Sequence, residues 1–366
     1  MSAQAWAQQE TDIYSQIEEQ LDAVGRDELM AQVPEATREL MESEDLYDMN
    51  FQSLLELTPG RFFSSLWRMF LDELQKPMRV LAAMLGIVLL CSLLESLRAG
   101  SFQEPLSGVF QTVSVLCVLT SIAMPILDCI IKTSAAIKSV AVFMLSFIPI
   151  FSAAMISAGQ PVSGSTYSMF LMGACQLVAQ VVSQTLIPLM SVYLAVAICG
   201  SFVPELKVVS AVGGIKIAIN WVMGFILTVF VALLSIQNIL SHSADSVTVR
   251  ATKFLISSLV PVAGGVLSEA FTAAQGCLKL VKTTVGVYGI VVALLTFLPI
   301  LLQVTIWMAI TRITAVASDV MGVTRVSDIL RSSASVLGML ICAVMCFGLL
   351  VIVSTGIVMA IGAGGS

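Results

Sequence analysis

The sequence predicts an all-α polytopic membrane protein of about seven transmembrane helices plus a re-entrant or broken helix, preceded by an acidic helical N-terminal segment. Three observations predict it. Of the 366 residues, 57% are hydrophobic and 11% charged, which is more apolar surface than a soluble core of this size hides. The charges leave long gaps: none falls between Lys138 and Glu205, between Lys282 and Arg312, or after Arg331. Each gap exceeds the roughly 20 apolar residues a spanning helix needs. The net charge of −6 is also split: residues 1–76 carry 16 acidic and 5 basic residues, a balance of −11, and the remainder carries 8 and 13, a balance of +5. An acidic segment ahead of a mildly basic membrane domain argues against nucleic acid as its partner.

The acidic segment is expected over 1–58. It lacks the basic-then-apolar layout of a signal peptide, yet "SAQAWAQQE" resembles the first residues of a chain cut at a small-residue cleavage site. The expectation is a signal removed or left out, with the segment outside the cytoplasm. Ile13, Ile17, Leu21 and Val24 recur at helical spacing, so an amphipathic helix is expected near the start. Thr58-Pro59 is an N-cap residue followed by proline at the first helical position. The helix it opens, over 59–78, gathers Phe62, Phe63, Leu66, Trp67, Phe70, Leu71 and Leu74 on one broad face. That pattern suits an interfacial helix, or one docked on protein.

The transmembrane domain is expected over 79–366, with spans at 79–97, 109–131, 139–158, 167–200, 217–240, 284–311 and 333–362. The fourth is long for one straight crossing and contains Pro188, which predicts a kink or two short helices. Basic residues fall in loops of both parities, so the positive-inside rule sets no orientation. An internal echo suggests a duplicated unit: "SFIPI" at Ser146–Ile150 returns as "SLVPV" at Ser258–Val262, and "LIPLM" at Leu186–Met190 returns as "FLPIL" at Phe297–Leu301. Duplicated units with broken segments at matching positions are how many transporters place a pathway near the midplane.

Catalytic signals are missing. There is no phosphate-binding GxxxxGK[ST], no GxGxxG after a strand and no GxSxG, and His242 is the one histidine. No enzyme, metal site or cofactor is expected. The eight cysteines lie mostly in apolar runs and read as small buried hydrophobes.

What remains is glycine, proline and amide chemistry. Gly213-Gly214, and Gly264-Gly265 after Pro261, free the backbone or let two helices approach closely. Helix packing and a broken helix lining a wet cavity are both open readings. Gln176, Gln180 and Gln184 recur every four residues as one polar stripe, which belongs against another helix or a pore rather than lipid. In "SHSADSVTVRATKFLISSLVPVAGGVLSEAF" (Ser241–Phe271), Asp245, Arg250 and Lys253 are expected to mark the water interface. The apolar run after them, with Pro261 at its centre, is expected to form a re-entrant or broken helix. "SFIPIFSAAMISAG" around Pro149 is its expected counterpart.

The stretch "SADSVTVRATKFLISSLVPVAGGVLSEAF", continuing "TAAQGCLKLVKTTVGVYGIVVALLTFLPILLQ", resembles the stage III sporulation protein AE family of endospore-forming bacteria. The likeness is clearest over about 213–303. The resemblance implies a mother-cell protein in the outer membrane around the engulfed forespore. It implies action with the other proteins of its operon, a cytoplasmic secretion-type ATPase among them, and with a forespore partner. The implied role is in a channel or feeding apparatus that sustains late forespore development. The family defines no catalytic residues, so none is carried over. Three readings are open: a channel or permease-like subunit acting as a homo- or hetero-oligomer, a non-conducting scaffold that assembles the other components, and a self-sufficient secondary transporter. Against the last stands the shortage of ionisable residues within the spans.

Overall fold

A computed structural model describes residues 18–23, 25–43, 59–99, 107–202, 208–259 and 264–361. The described residues are almost entirely helical. Two short helices, α1 (Arg26–Ala31) and α2 (Glu35–Ser43), precede α3 (Pro59–Ala99), α4 (Ser107–Ser157) and α5 (Pro161–Val181). A π-helical turn (Val182–Leu186) joins α5 to α6 (Ile187–Phe202), and α7 (Val208–Leu259), α8 (Gly264–Val320) and α9 (Thr324–Ile361) complete the chain. Among the described residues, six helical stretches are long and apolar enough to cross a membrane: 73–93, 112–157, 161–200, 212–237, 274–320 and 324–360.

Two antiparallel hairpins organise the bundle, and in each a glycine makes the turn. After α4, Gly159 takes φ 86°; its N–H bonds to Ile156 O and that of Gln160 to Met155 O, each at 3.0 Å. After α8, Gly322 takes φ 80°; the N–H of Val323 reaches Ser318 O at 2.9 Å and that of Gly322 reaches Asp319 O at 3.1 Å. Both are Schellman closures, in which a left-handed residue beyond the helix satisfies the last carbonyls, and glycine adopts that conformation without Cβ strain. Pro161 then opens α5 at its first position, where the missing N–H costs nothing. Helices α8 and α9 pack along their length, with α4 against both. Phe143, Phe147 and Phe151 stack down the α4 seam at 5.7 and 5.4 Å. Gly289 and Gly286 of α8 give them room: a Cβ on Gly289 would stand 2.2 Å from the Phe147 ring.

The structure revises several expectations. The interfacial helix and the first span are one helix, Pro59–Ala99, which passes through a buried Pro77. The spans expected at 109–131 and 139–158 are also one helix of 51 residues. Lys132 and Lys138 interrupt hydropathy there, but both are good helix formers, and Lys132 pairs with Asp128 one turn back at 2.9 Å. Among the described residues the seven expected spans therefore become six candidate stretches. Pro149 lies exposed inside α4, and the helix runs on unbroken to Ser157; no re-entrant break occurs at "SFIPIFSAAMISAG". Pro188 follows the π-helical turn, which absorbs the irregularity without ending the helix. Pro299 lies within α8. Pro261, the fourth member of the echo, lies outside the described residues, between the end of α7 at Leu259 and the start of α8 at Gly264.

Candidate functional site

At the α4–α5 turn the bundle gathers a polar cluster from four helices. The first turn of α5 leaves backbone N–H groups with no partner inside the helix, and the residue before it, Gln160, supplies no side-chain cap. Asp245 of α7 fills that role from outside: its two carboxylate oxygens accept the N–H of Val162 at 2.9 Å and of Ser163 at 3.0 Å. A carboxylate at a helix N-terminus also meets the positive end of the helix dipole. Asp245, expected from the sequence at the water interface, is buried within the bundle at 4% exposure. Its sequence neighbours make it look like a loop charge, whereas its partners lie 82 and 83 positions away.

Lys282 of α8 is the complementary cation, at 1% exposure. Its Nζ donates to Gln160 Oε1 and to Val358 O, both at 3.1 Å. Val358 lies in the last turn of α9, where carbonyls lack helical partners and a cation suits the negative end of the dipole. The cluster thus sets a negative group on one helix start and a positive group on one helix end, with Gln160 of the turn between them. One layer further in, Tyr167 and Thr355 share a hydroxyl hydrogen bond at 3.2 Å, and Ser152 Oγ donates to Gly164 O at 2.7 Å. Sequence reasoning missed Lys282 and Gln160. The signals were present: a cation at the mouth of a charge-free run, and Gly-Gln-Pro as a helix-turn-helix punctuation.

The glutamine stripe sits elsewhere. Gln176 is half-buried and donates to Ala141 O of α4 at 3.3 Å. Gln180 and Gln184 are exposed, and Gln180 Nε2 reaches Gln184 Oε1 at 3.5 Å, so the two share a face. Leu177, Thr185 and Val192 are also exposed on this stretch. Across the bundle, Gln303 of α8 donates to Asp128 at 3.3 Å. Gly213 and Gly214 lie inside α7, where an added Cβ would meet nothing within 4 Å. The close approaches belong instead to Gly164, Gly286 and Gly289. Gly264 and Gly265 begin α8, and Arg250 and Lys253 lie on α7; the surroundings of these four positions fall outside the described side chains. No group of three or more His, Cys, Asp or Glu able to hold a metal occurs among the described residues.

Residues 41–362 match the family described as Stage III sporulation protein AE. Among curated proteins the chain is similar to the Stage III sporulation protein AE of Bacillus subtilis (strain 168), at 23% identity over 239 residues. That alignment covers 64% of this chain and 59% of the relative. No solved structure matches.

Proposed function

The chain belongs to the stage III sporulation protein AE family, and from that premise we propose that it is a channel or permease-like subunit of the transport apparatus between mother cell and forespore. It is a sporulation protein and, with six stretches among the described residues long and apolar enough to cross a bilayer, a multi-pass membrane protein. The proposal adds a place and partners: the outer membrane around the forespore, a cytoplasmic secretion-type ATPase, and the other stage III membrane proteins. It also assigns the chain no catalysis of its own. The observation that carries the reading is the exposed amide pair Gln180–Gln184 on a helical stretch apolar enough to cross a membrane. Amides facing acyl chains lose their water without replacement, so this face belongs against water or another polar chain.

One observation favours the non-conducting scaffold. Asp245 and Lys282, buried together at the α4–α5 turn, direct their hydrogen bonds to helix ends and the turn rather than to a pathway. Single cysteines at Leu177, Gln180, Gln184 and Phe254, in a cysteine-free background, distinguish the two. In sporulating cells a membrane-impermeant thiol reagent should label Leu177→Cys, Gln180→Cys and Gln184→Cys, which lie on one side of the helix. Uniform protection of the glutamine face and of Phe254→Cys would favour the scaffold.

A further inference from the structure

We infer that the face formed by α4 and α8 beneath the N-terminal helix pair opens on water at membrane depth, with lipid confined to other faces of the same bundle level. The inference stands on the placement of the helix pair and does not depend on whether the chain conducts.

Leu29, Val33, Thr37 and Met41 recur every four residues through α1 and α2 and are all buried. They dock on the bundle. Gly25, with φ 105°, brings its α-carbon side within ordinary contact of Ile150 on α4, an added Cβ standing 3.5 Å away. Thr37 Oγ1 shares a 2.7 Å hydrogen bond with Thr296 Oγ1 on α8. Both bundle residues lie deep in charge-free runs. Thr296 is fourteen residues beyond Lys282, about 21 Å along the helix at 1.5 Å per residue, in the middle of a run that composition alone gives to lipid.

The outer face of the pair is the opposite in character. Every described acidic residue from Glu18 to Glu42 is exposed, Glu28, Glu35 and Glu39 among them. Two arginines are too few to neutralise this face, and both are engaged: Arg26 pairs with Asp22 at 2.7 Å, and Arg38 donates back to Ala31 O at 3.3 Å. Ionised carboxylates beside acyl chains are expensive, and these side chains are too short to reach past the depth of Thr296 to a headgroup region. The pair therefore lies on a wall that water reaches. At the same level α5 exposes a large apolar side chain. Met169 of α5 lies as far past the Gly159 turn as Ile150 lies before it, to within one residue, and is 85% exposed with no polar group to hydrate.

Spin labels test this on the full chain in proteoliposomes, in a cysteine-free background. Labels at Glu28→Cys and Glu39→Cys should collide mainly with a water-soluble nickel chelate, and a label at Met169→Cys mainly with lipid-soluble oxygen. A cross-link between Thr37→Cys and Thr296→Cys, formed by mild oxidation, should report that the pair is docked. Oxygen-dominated collisions at Glu28 and Glu39 would overturn the inference, as would nickel-dominated collisions at Met169, which would put the whole level outside lipid. Low access to both reagents at Glu28 and Glu39 would also overturn it and assign the face to a protein contact. Absence of the cross-link would remove its structural basis.

Discussion

Asp245 and Lys282 show how a single charge in an apolar chain is settled by the ends of helices it meets. Each sits on a helix terminus whose dipole favours its sign, and each makes two hydrogen bonds at its site. Removing either side chain leaves two buried groups without a hydrogen-bond partner, Val162 and Ser163 N–H for Asp245 and Gln160 Oε1 and Val358 O for Lys282, at a typical cost of about 1–3 kcal/mol per group. Lys282→Met and Asp245→Asn should each lower the thermal midpoint of the detergent-solubilised protein. Asp245→Asn should do so more, because an amide keeps only one acceptor oxygen for the two N–H groups that the carboxylate caps. The double variant should recover stability relative to the sum, with a coupling on the order of 0.5–3 kcal/mol. Strictly additive losses would show that the two charges are independent fittings. Asp245 is visible in the sequence as a charge beside an apolar run; its role is not, because a cap supplied across 82 residues leaves no local pattern.

At the scale of the element, glycine separates turns, close contacts and open surface, and the sequence reads only the first of these. Gly159 and Gly322 end charge-poor helices and lie beside short turns into Pro161 and Val323, so their closures follow from local chemistry. The pairs Gly213-Gly214 and Gly264-Gly265 are conspicuous in the sequence as packing positions, yet the tightest position described is the lone Gly289 against Phe147. No spacing rule identifies it, since the ring that needs the space comes from α4. Gly289→Ala should destabilise by about 1–3 kcal/mol through overpacking. Gly213→Ala, in open space inside α7, should stabilise by about 0.5–1 kcal/mol by removing a glycine from a helix interior. Thermal unfolding of the two variants should therefore move in opposite directions. Loss of sporulation in Gly213→Ala with stability retained would place a partner chain on that face. Hydropathy likewise divides α4 into two spans, because a pair of lysines ends a lipid-compatible run without ending a helix.

For the whole molecule, the long helices and the N-terminal pair belong to one architecture. Helices α4 and α8, of 51 and 57 residues, are about 77 and 86 Å long at 1.5 Å per residue, more than twice the roughly 30 Å hydrocarbon core. Such helices need cover that lipid alone does not give, and α1 and α2 provide part of it. Composition discloses an acidic helical segment but not its dock, since Ile150 and Thr296 lie more than 100 residues away in runs that read as lipid-facing. At 6 and 9 residues, α1 and α2 are too short to hold helical form alone, so their folding and their docking are one event. Burying Leu29 and Met41 contributes about 1.5–3 kcal/mol each. Replacing both, as Leu29→Asp and Met41→Asp, should cancel that and unfold the segment as a unit. Trypsin then has two reporters inside it: Arg26 and Arg38 should resist cleavage in the native protein and be cut rapidly in the double variant, while the hairpin of α8 and α9, closed by Gly322 and by the Arg331–Asp319 ion pair, stays intact. Equal cleavage at Arg26 and Arg38 in both proteins would mean that the pair does not stay docked and that the α4–α8 face must be covered by something else.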